Sequence, residues 1–382
     1  MNAGSPDRGN FVPHAGRSAP DADLIHGIES CAGVLLDERS GHDDLRSAAS
    51  QLYRLLLTAT GDADRSETLL ACGKALSGRD AAHCVLDHLR TAKYLRAVDQ
   101  ALSDAAKRWP GQRLRVLYAG CGPWSPLLLM LAPRWSGRLA ITLVDVHASS
   151  LHMAANLFAK IDQSAALAVV HCADACTLRI EDGQRPHVLI AEIMQRALEH
   201  EPQLAVTVHL APQLMPGGIL VPKRISVDAV LVRMSDELLS IETGPQSIGL
   251  GERATRATET RIPLAHLIEI SQGTVPDLVR QIALNPTSLT AINAQVAAHT
   301  PSGLSVMLCT RIEVGPGLFL EEFESGITHP AYLHALGTVK PGDRLSFHYV
   351  LGARPGFACV WQSAPDADNQ CGFTAPIERS VR

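Results

Sequence analysis

The chain has 382 residues, too many for one compact core and enough for roughly two to three domains. With 46% hydrophobic and 19% charged residues it has a globular composition, and no apolar run reaches the ~18 residues of a transmembrane helix. A net charge of −5 and a pI near 6.3, without a cluster of Lys and Arg, argue against a nucleic-acid partner.

The first stretch, MNAGSPDRGNFVPHAGRSAPDAD, is rich in Gly, Pro, Ser and Asp and lacks the apolar core of a secretory signal. Residues 1–24 are therefore expected to form a disordered tail. From 25 to 108, LRSAASQLYRLLLTA and VLDHLRTAKYLRAVDQALSDAAKRW carry apolar residues at helical spacing. Trp109-Pro110-Gly111 ends this helical region.

The pattern then changes. LRVLYAG, LAITLVDV, LAVVHCAD and HVLIAEI are short apolar runs separated by helical stretches. Such alternation predicts a parallel sheet covered on both faces, over 109–220. The remainder, 221–382, is rich in β-branched residues and turns and predicts an antiparallel sheet or barrel. Two segments inside it, DLVRQIALN and LTAINAQVAAH, have a helical pattern and are expected to form an insertion. Lys340-Pro341-Gly342-Asp343 fits a type II turn.

The nine cysteines, at 31, 72, 84, 121, 172, 176, 309, 359 and 371, are scattered and form no CxxC pair. They predict reduced thiols in a cytoplasmic protein and no disulfide framework. Cys172 and Cys176 have no partner pair nearby in sequence, which argues against zinc.

In VLYAGCGPWSPLLL a strand runs into Gly120-Cys121-Gly122, and a helix is expected to start at Pro123. Two glycines permit a sharp turn and close approach of a ligand to the backbone. The next strand ends in Asp145-Val146, where an acid of such folds contacts ribose hydroxyls. Asp174 follows the third strand and is expected near an adenine. Trp124 occupies the middle of what would be a dinucleotide fingerprint and would crowd a pyrophosphate. S-adenosyl-L-methionine, which has no phosphate, fits better than a nicotinamide cofactor. Gly120, Cys121, Gly122, Asp145, Val146 and Asp174 form the expected cofactor set, with Cys121 a small filler. An Asp145 that merely caps helix 148–160 is disfavoured, since Ser149 and Ser150 stand nearer its start.

Glu192 leaves the fourth strand at the carboxyl edge of the sheet, where open α/β sheets bind ligands. Pro202 disfavours helix at Glu201 and places it on a loop. Two carboxylates beside a sulfonium suit a guanidinium, an always-charged planar fork of five donors. Glu199 competes for the second role, but its spacing fits less well.

The spacing Glu192-Ile193-Met194 through Leu198 to Glu201 resembles the double-glutamate loop of the protein arginine N-methyltransferases. Asp87-His88-Leu89-Arg90-Thr91 with Tyr94, PQLMPGGILVPKRISV and LGTVKPGDRLSFHYVL are similar to other stretches of that family, and together they cover about 85–375. The resemblance implies a Rossmann-like class I methyltransferase domain, a helical N-terminal region, a C-terminal β-barrel and a homodimer joined through an arm within 230–300. It implies that Arg90 grips the cofactor carboxylate, that Glu192 also borders the cofactor, and that His329 orients the glutamates. The chain departs from the family at Trp124, at Thr328-His329-Pro330, which lacks the family's tryptophan, and in a missing tyrosine-rich N-terminal motif. These losses affect the peptide channel. The expected substrate is therefore free L-arginine or a small guanidino metabolite, with an arginine-containing protein as alternative. A different O- or N-methyl acceptor and a non-catalytic cofactor-binding regulator stay open.

Overall fold

The computed structural model describes residues 10–11, 19–237, 260–333, 336–364 and 377–380. The chain divides into two compact units. The first comprises residues 1–193, 202–223 and 313–319; the second comprises 194–201, 224–312 and 320–382.

In the first unit, a short strand β1 (Asn10–Phe11) precedes two amphipathic helices, α1 (Ala22–Leu36) and α2 (His42–Thr60). The expected tail 1–24 lies largely outside the described residues. Asp21 starts α1 by accepting from the Leu24 amide, which satisfies one orphan donor of the first turn. A hairpin, β2 (Thr68–Leu70) and β3 (Gly73–Ala75), leads to α3 (Gly78–His83) and the long α4 (His88–Arg108). Leu89, Ala92, Leu95, Val98, Ala101, Leu102 and Ala105 repeat at three- and four-residue steps and bury one face of α4.

The sheet follows: β4 (Leu114–Ala119), α5 (Pro126–Leu131), β5 (Leu139–Asp145), α6 (Ala148–Lys160), β6 (Leu167–Cys172), β7 (Val188–Ala191), α7 (Gln203–Leu210) and β8 (Ile219–Val221). Its order is β1-β6-β5-β4-β7-β8, with β4 to β8 parallel and β1 antiparallel at the edge. Every residue of β7 is buried, as the apolar run predicts for a sheet covered on both faces. On one face Leu117, Ala119, Leu189 and Ala191 pack with Val206 and Leu210 of α7. The order reverses at β4, so the loops after β4, β5 and β7 share the carboxyl edge at the switch point.

The helix expected at Pro123 begins instead at Pro126. Ser125 takes a left-handed conformation with φ 44° and donates its amide to the Cys121 carbonyl. The second proline thus takes the favoured first helical position.

The second unit is antiparallel. β9 (Arg224–Val232) pairs with β10 (Ile262–Ser271), α8 (Val275–Leu284) follows, and β11 (Ile292–Gln295) leads to β12 (Leu304–Gly315). Then come β13 (Leu318–Leu320), β14 (Ala331–Tyr332), β15 (Thr338–Val339), β16 (Arg344–Val350), β17 (Gly356–Gln362) and β18 (Ile377–Ser380). Among the described residues they form one sheet around β9 and β12 and another of β11-β16-β17-β18. DLVRQIALN is helical as expected; LTAINAQVAAH is not. Its centre is β11, which pairs with β16 because the sheet edge overrides a weak helical pattern. Asp343 donates to the Lys340 carbonyl with Gly342 at φ 87°, giving the expected turn. The part of the expected dimer arm at 238–259 lies outside the described residues. No helix among the described residues is long and apolar enough to cross a membrane.

Candidate active site

The loop after β4 is tied to the end of β5. The amides of Gly120 and Cys121 both donate to the Val144 carbonyl, at 2.9 and 3.2 Å. Gly120 and Gly122 have φ of 66° and 64°, where a Cβ would be strained. A Cβ at Gly120 would also meet Ile193 Cγ1 at 2.9 Å, so that side chain would have to shift. At Gly122 it would meet Ala81 at 3.3 Å.

Asp145 is 8% exposed. Its Oδ2 accepts from the Gly122 amide at 2.9 Å and its Oδ1 from the His147 amide at 2.9 Å. It therefore organises the glycine loop and holds the amide of His147, the N-cap of α6, which has no side-chain cap bond. His147 extends the set. Its Nδ1 lies 3.2 Å from Asp145 Oδ1 and its Nε2 3.0 Å from Thr68 Oγ1 of the hairpin. The bond to Asp145 raises the His147 pKa against its burial. Val146 is half-buried, and its carbonyl accepts from the Cys172 thiol. Asp174 lies two residues beyond β6, where its Oδ1 accepts from the Cys176 amide at 2.8 Å. Cys121 is buried, and burial followed by the charge of Asp145 pushes its thiol pKa well up, in keeping with a filler.

Trp124 does not face the carboxyl edge as a bulky intruder. It is 1% exposed, packs edge-on against Tyr53 of α2 at 5.4 Å, and donates its indole N–H to Thr60. The residue that breaks the glycine pattern thus anchors the loop to the N-terminal helices.

Arg90, in the first turn of α4, forms an ion pair with Glu192 just after β7. Both side chains are nearly buried, at 13% and 11% exposure. Burial opposes the charge on Arg90, but Glu192 together with Cys84, Tyr94 and Asp87 offsets it and holds the guanidinium pKa above its usual range. Burial pushes the Glu192 carboxyl pKa up, and Arg90 pulls it back only in part. One helical turn beyond Arg90, the Tyr94 hydroxyl is buried without a hydrogen-bond partner among the described residues. Burial, then Glu192, push its pKa well up. The Ser125 hydroxyl is likewise buried and unpartnered. Buried hydroxyls of this kind are costly unless a ligand or water completes them. With two positive-φ glycines, a buried cation and a buried acid at the end of β5, they fit an adenosyl amino acid.

Glu192 and Glu201 fall in different units. The segment 194–201 is held within the second unit by three bonds: the Ala197 amide to Thr310 Oγ1 at 2.9 Å, the Tyr349 hydroxyl to the Leu198 carbonyl at 2.7 Å, and the His200 amide to the Pro355 carbonyl at 2.9 Å. Ala197, Leu198 and His200 all have positive φ, at 51°, 58° and 64°. Non-glycine residues in this region cost about 1–3 kcal/mol each and collect at ligand clamps. Glu201 ends the strained segment and is 4% exposed. Within the first unit, Gln203 donates to the Ala191 carbonyl and accepts from the Ile193 amide, bracing the residues that flank Glu192. His329 is exposed, its ring tilted against Phe323 at 5.7 Å. The turn before it, at 326–328, packs against the turn at 196–198.

The second unit also contains a guanidinium gripped by two carboxylates. Glu237 meets Arg261 Nε and Nη2 at 2.8 Å each, and Glu322 meets Nη1 and Nη2 at 2.7 Å. Glu237, Glu322, His147 and Thr310 carry no motif spacing that would single them out. Tyr94 was signalled by its position one turn from Arg90 on the same helix face. Contrary to the expected absence of disulfides, Cys72 and Cys176 are joined, across a sequence separation of 104 that no spacing rule reads.

No family profile matches the chain, and no curated protein matches its sequence. Among solved structures it is similar to that of Arabidopsis thaliana protein arginine methyltransferase 10, reported in an open conformation. The match has 13% sequence identity and a TM-score of 0.47, and covers 78% of this chain and 94% of that one. A likeness of this size carries no weight for function.

Proposed function

We propose that the chain is an S-adenosyl-L-methionine-dependent N-methyltransferase acting on the guanidino nitrogen of free L-arginine or a small arginine-like metabolite. The observation that carries this reading is the buried Arg90–Glu192 pair at the carboxyl edge of the parallel sheet, beside the Asp145-bound glycine loop. Asp145 would hold the ribose, Arg90 the amino-acid carboxylate, and Gly120 and Gly122 the methionine arm, with Val146 and Asp174 bordering the adenosine. When bound, the cofactor supplies an electrophilic methyl group on a cationic sulfur.

The protein's part is electrostatic and positional. A guanidinium brought within ~4 Å of another unit cation costs about 4 kcal/mol at an effective dielectric of 20. Glu192 and Glu201 together more than offset this cost, aim one nitrogen, and accept its proton after transfer. Arg261 between Glu237 and Glu322 supports the feasibility of such a grip in the same chain. A bound cofactor carboxylate competes for Arg90 and so frees Glu192 for the substrate. A closed barrel, a homodimer, a cytoplasmic location and an orienting role for His329 complete this reading.

The test measures S-adenosylhomocysteine release with free L-arginine and with an arginine-containing peptide. Release with free arginine that disappears in Glu192→Gln and Glu201→Gln upholds the reading. Release with the peptide alone assigns the chain to protein modification, and Glu192→Gln with unchanged release points to another methyl acceptor. Cofactor binding without release for any guanidino compound overturns catalysis.

A further inference from the structure

The hairpin β2–β3 is fastened at two points to the carboxyl edge of the sheet. Thr68 binds His147, which follows β5, and Cys72, at the hairpin turn, is joined to Cys176, which follows β6. These two loops carry Asp145 and Asp174. The coupling to Asp174 is direct, since its carboxylate accepts from the Cys176 amide and lies within 4.8 Å of both sulfurs. Leu69 is 63% exposed, and a lone two-stranded hairpin is marginal in water. Cys72 and Cys176 are both only half-buried, which leaves them open to exchange with a small thiol under the proposal.

We propose that Cys72 and Cys176 are a reversible redox latch that fixes the hairpin across the adenosyl end of the cofactor site and slows ligand exchange. In closing, one thiolate attacks a small disulfide such as oxidised glutathione and expels one thiol. The second thiolate then displaces the other, so two protein thiols lose two electrons and two protons and the small disulfide leaves as two thiols. A small dithiol reverses the sequence. The ligand part of the proposal rests on the function proposed above; the latch itself does not.

The experiment uses full-length protein oxidised with glutathione disulfide or reduced with dithiothreitol, and Cys72→Ser under both conditions. Thiol mapping by mass spectrometry, amide hydrogen exchange over 67–76 and the dissociation rate of S-adenosylhomocysteine are read together. The latch predicts a Cys72–Cys176 bond, hairpin protection lost on reduction, and roughly tenfold slower dissociation from the oxidised protein. Cys72→Ser behaves as the reduced form in both buffers. Equal dissociation rates with ligand bound overturn gating. Thiols that stay reduced, or that retain a zinc ion with Asp174 instead of oxidising, overturn the latch. If S-adenosylhomocysteine binds in neither state, the cofactor reading fails and hairpin protection alone decides: lost on reduction it upholds the latch, unchanged it refutes it.

Discussion

The guanidinium of Arg90 and the carboxylate of Glu192 meet in a nearly buried ion pair, one from the first turn of a helix and the other from the end of a strand. Removing one partner leaves the other charge buried, which costs about 3–5 kcal/mol, whereas replacing both with apolar groups costs far less. Glu192→Met and Arg90→Met should each lower unfolding free energy by that order, and the double variant by less than their sum. Urea denaturation of the four proteins measures the coupling. Arg90→Met should also weaken S-adenosylhomocysteine binding.

Glu192 also sets a pH dependence. Burial raises its folded pKa above the ordinary value of 4.5 despite Arg90. Between the ordinary and the raised value, the native protein holds more protons than the unfolded chain, so stability falls as pH rises through that window. The ionised form grows over the same window. The acid limb of kcat/KM should therefore lie above 4.5, and Glu192→Gln should remove the corresponding stability slope. Paired pH–rate and pH–denaturation curves check both signs.

Trp124 gives a contrast between local pattern and tertiary use. Trp124→Gly would restore the repeating glycines but delete a fully buried indole bonded to Thr60. The expected result is a loss of about 3–5 kcal/mol in stability and no gain in cofactor affinity, checked by denaturation and calorimetry.

Ala197 tests the strained segment. Its φ of 51° suits glycine, so Ala197→Gly relieves up to about 1–2 kcal/mol of conformational cost, less the added entropy of glycine. Stability should change little, while kcat falls as Glu201 loses its fixed approach. Unchanged kcat would show that the segment does not position Glu201.

The sheet was legible because β4, β5 and β7 are continuous apolar runs ending in Gly120, Asp145 and Glu192, and the period of burial reports the fold. LTAINAQVAAH was misread because its spacing fits a helix while the edge of β16 decides its state. Helix entry at Pro126 depended on the left-handed Ser125, which no propensity scale marks. The geometry of the candidate site was legible where a residue lies on a strand end. It was opaque where the partner comes from afar, as Thr60 for Trp124, Thr68 for His147, Thr310 for Ala197 and Cys72 for Cys176.

The most direct measurement is the mass of free L-arginine after incubation with purified protein and S-adenosyl-L-methionine, beside the Glu192→Gln protein. The account predicts arginine heavier by one methylene mass, located by fragmentation to the guanidino group, and none from the variant. Unmodified arginine from a protein that binds the cofactor, or equal product from both proteins, would contradict it.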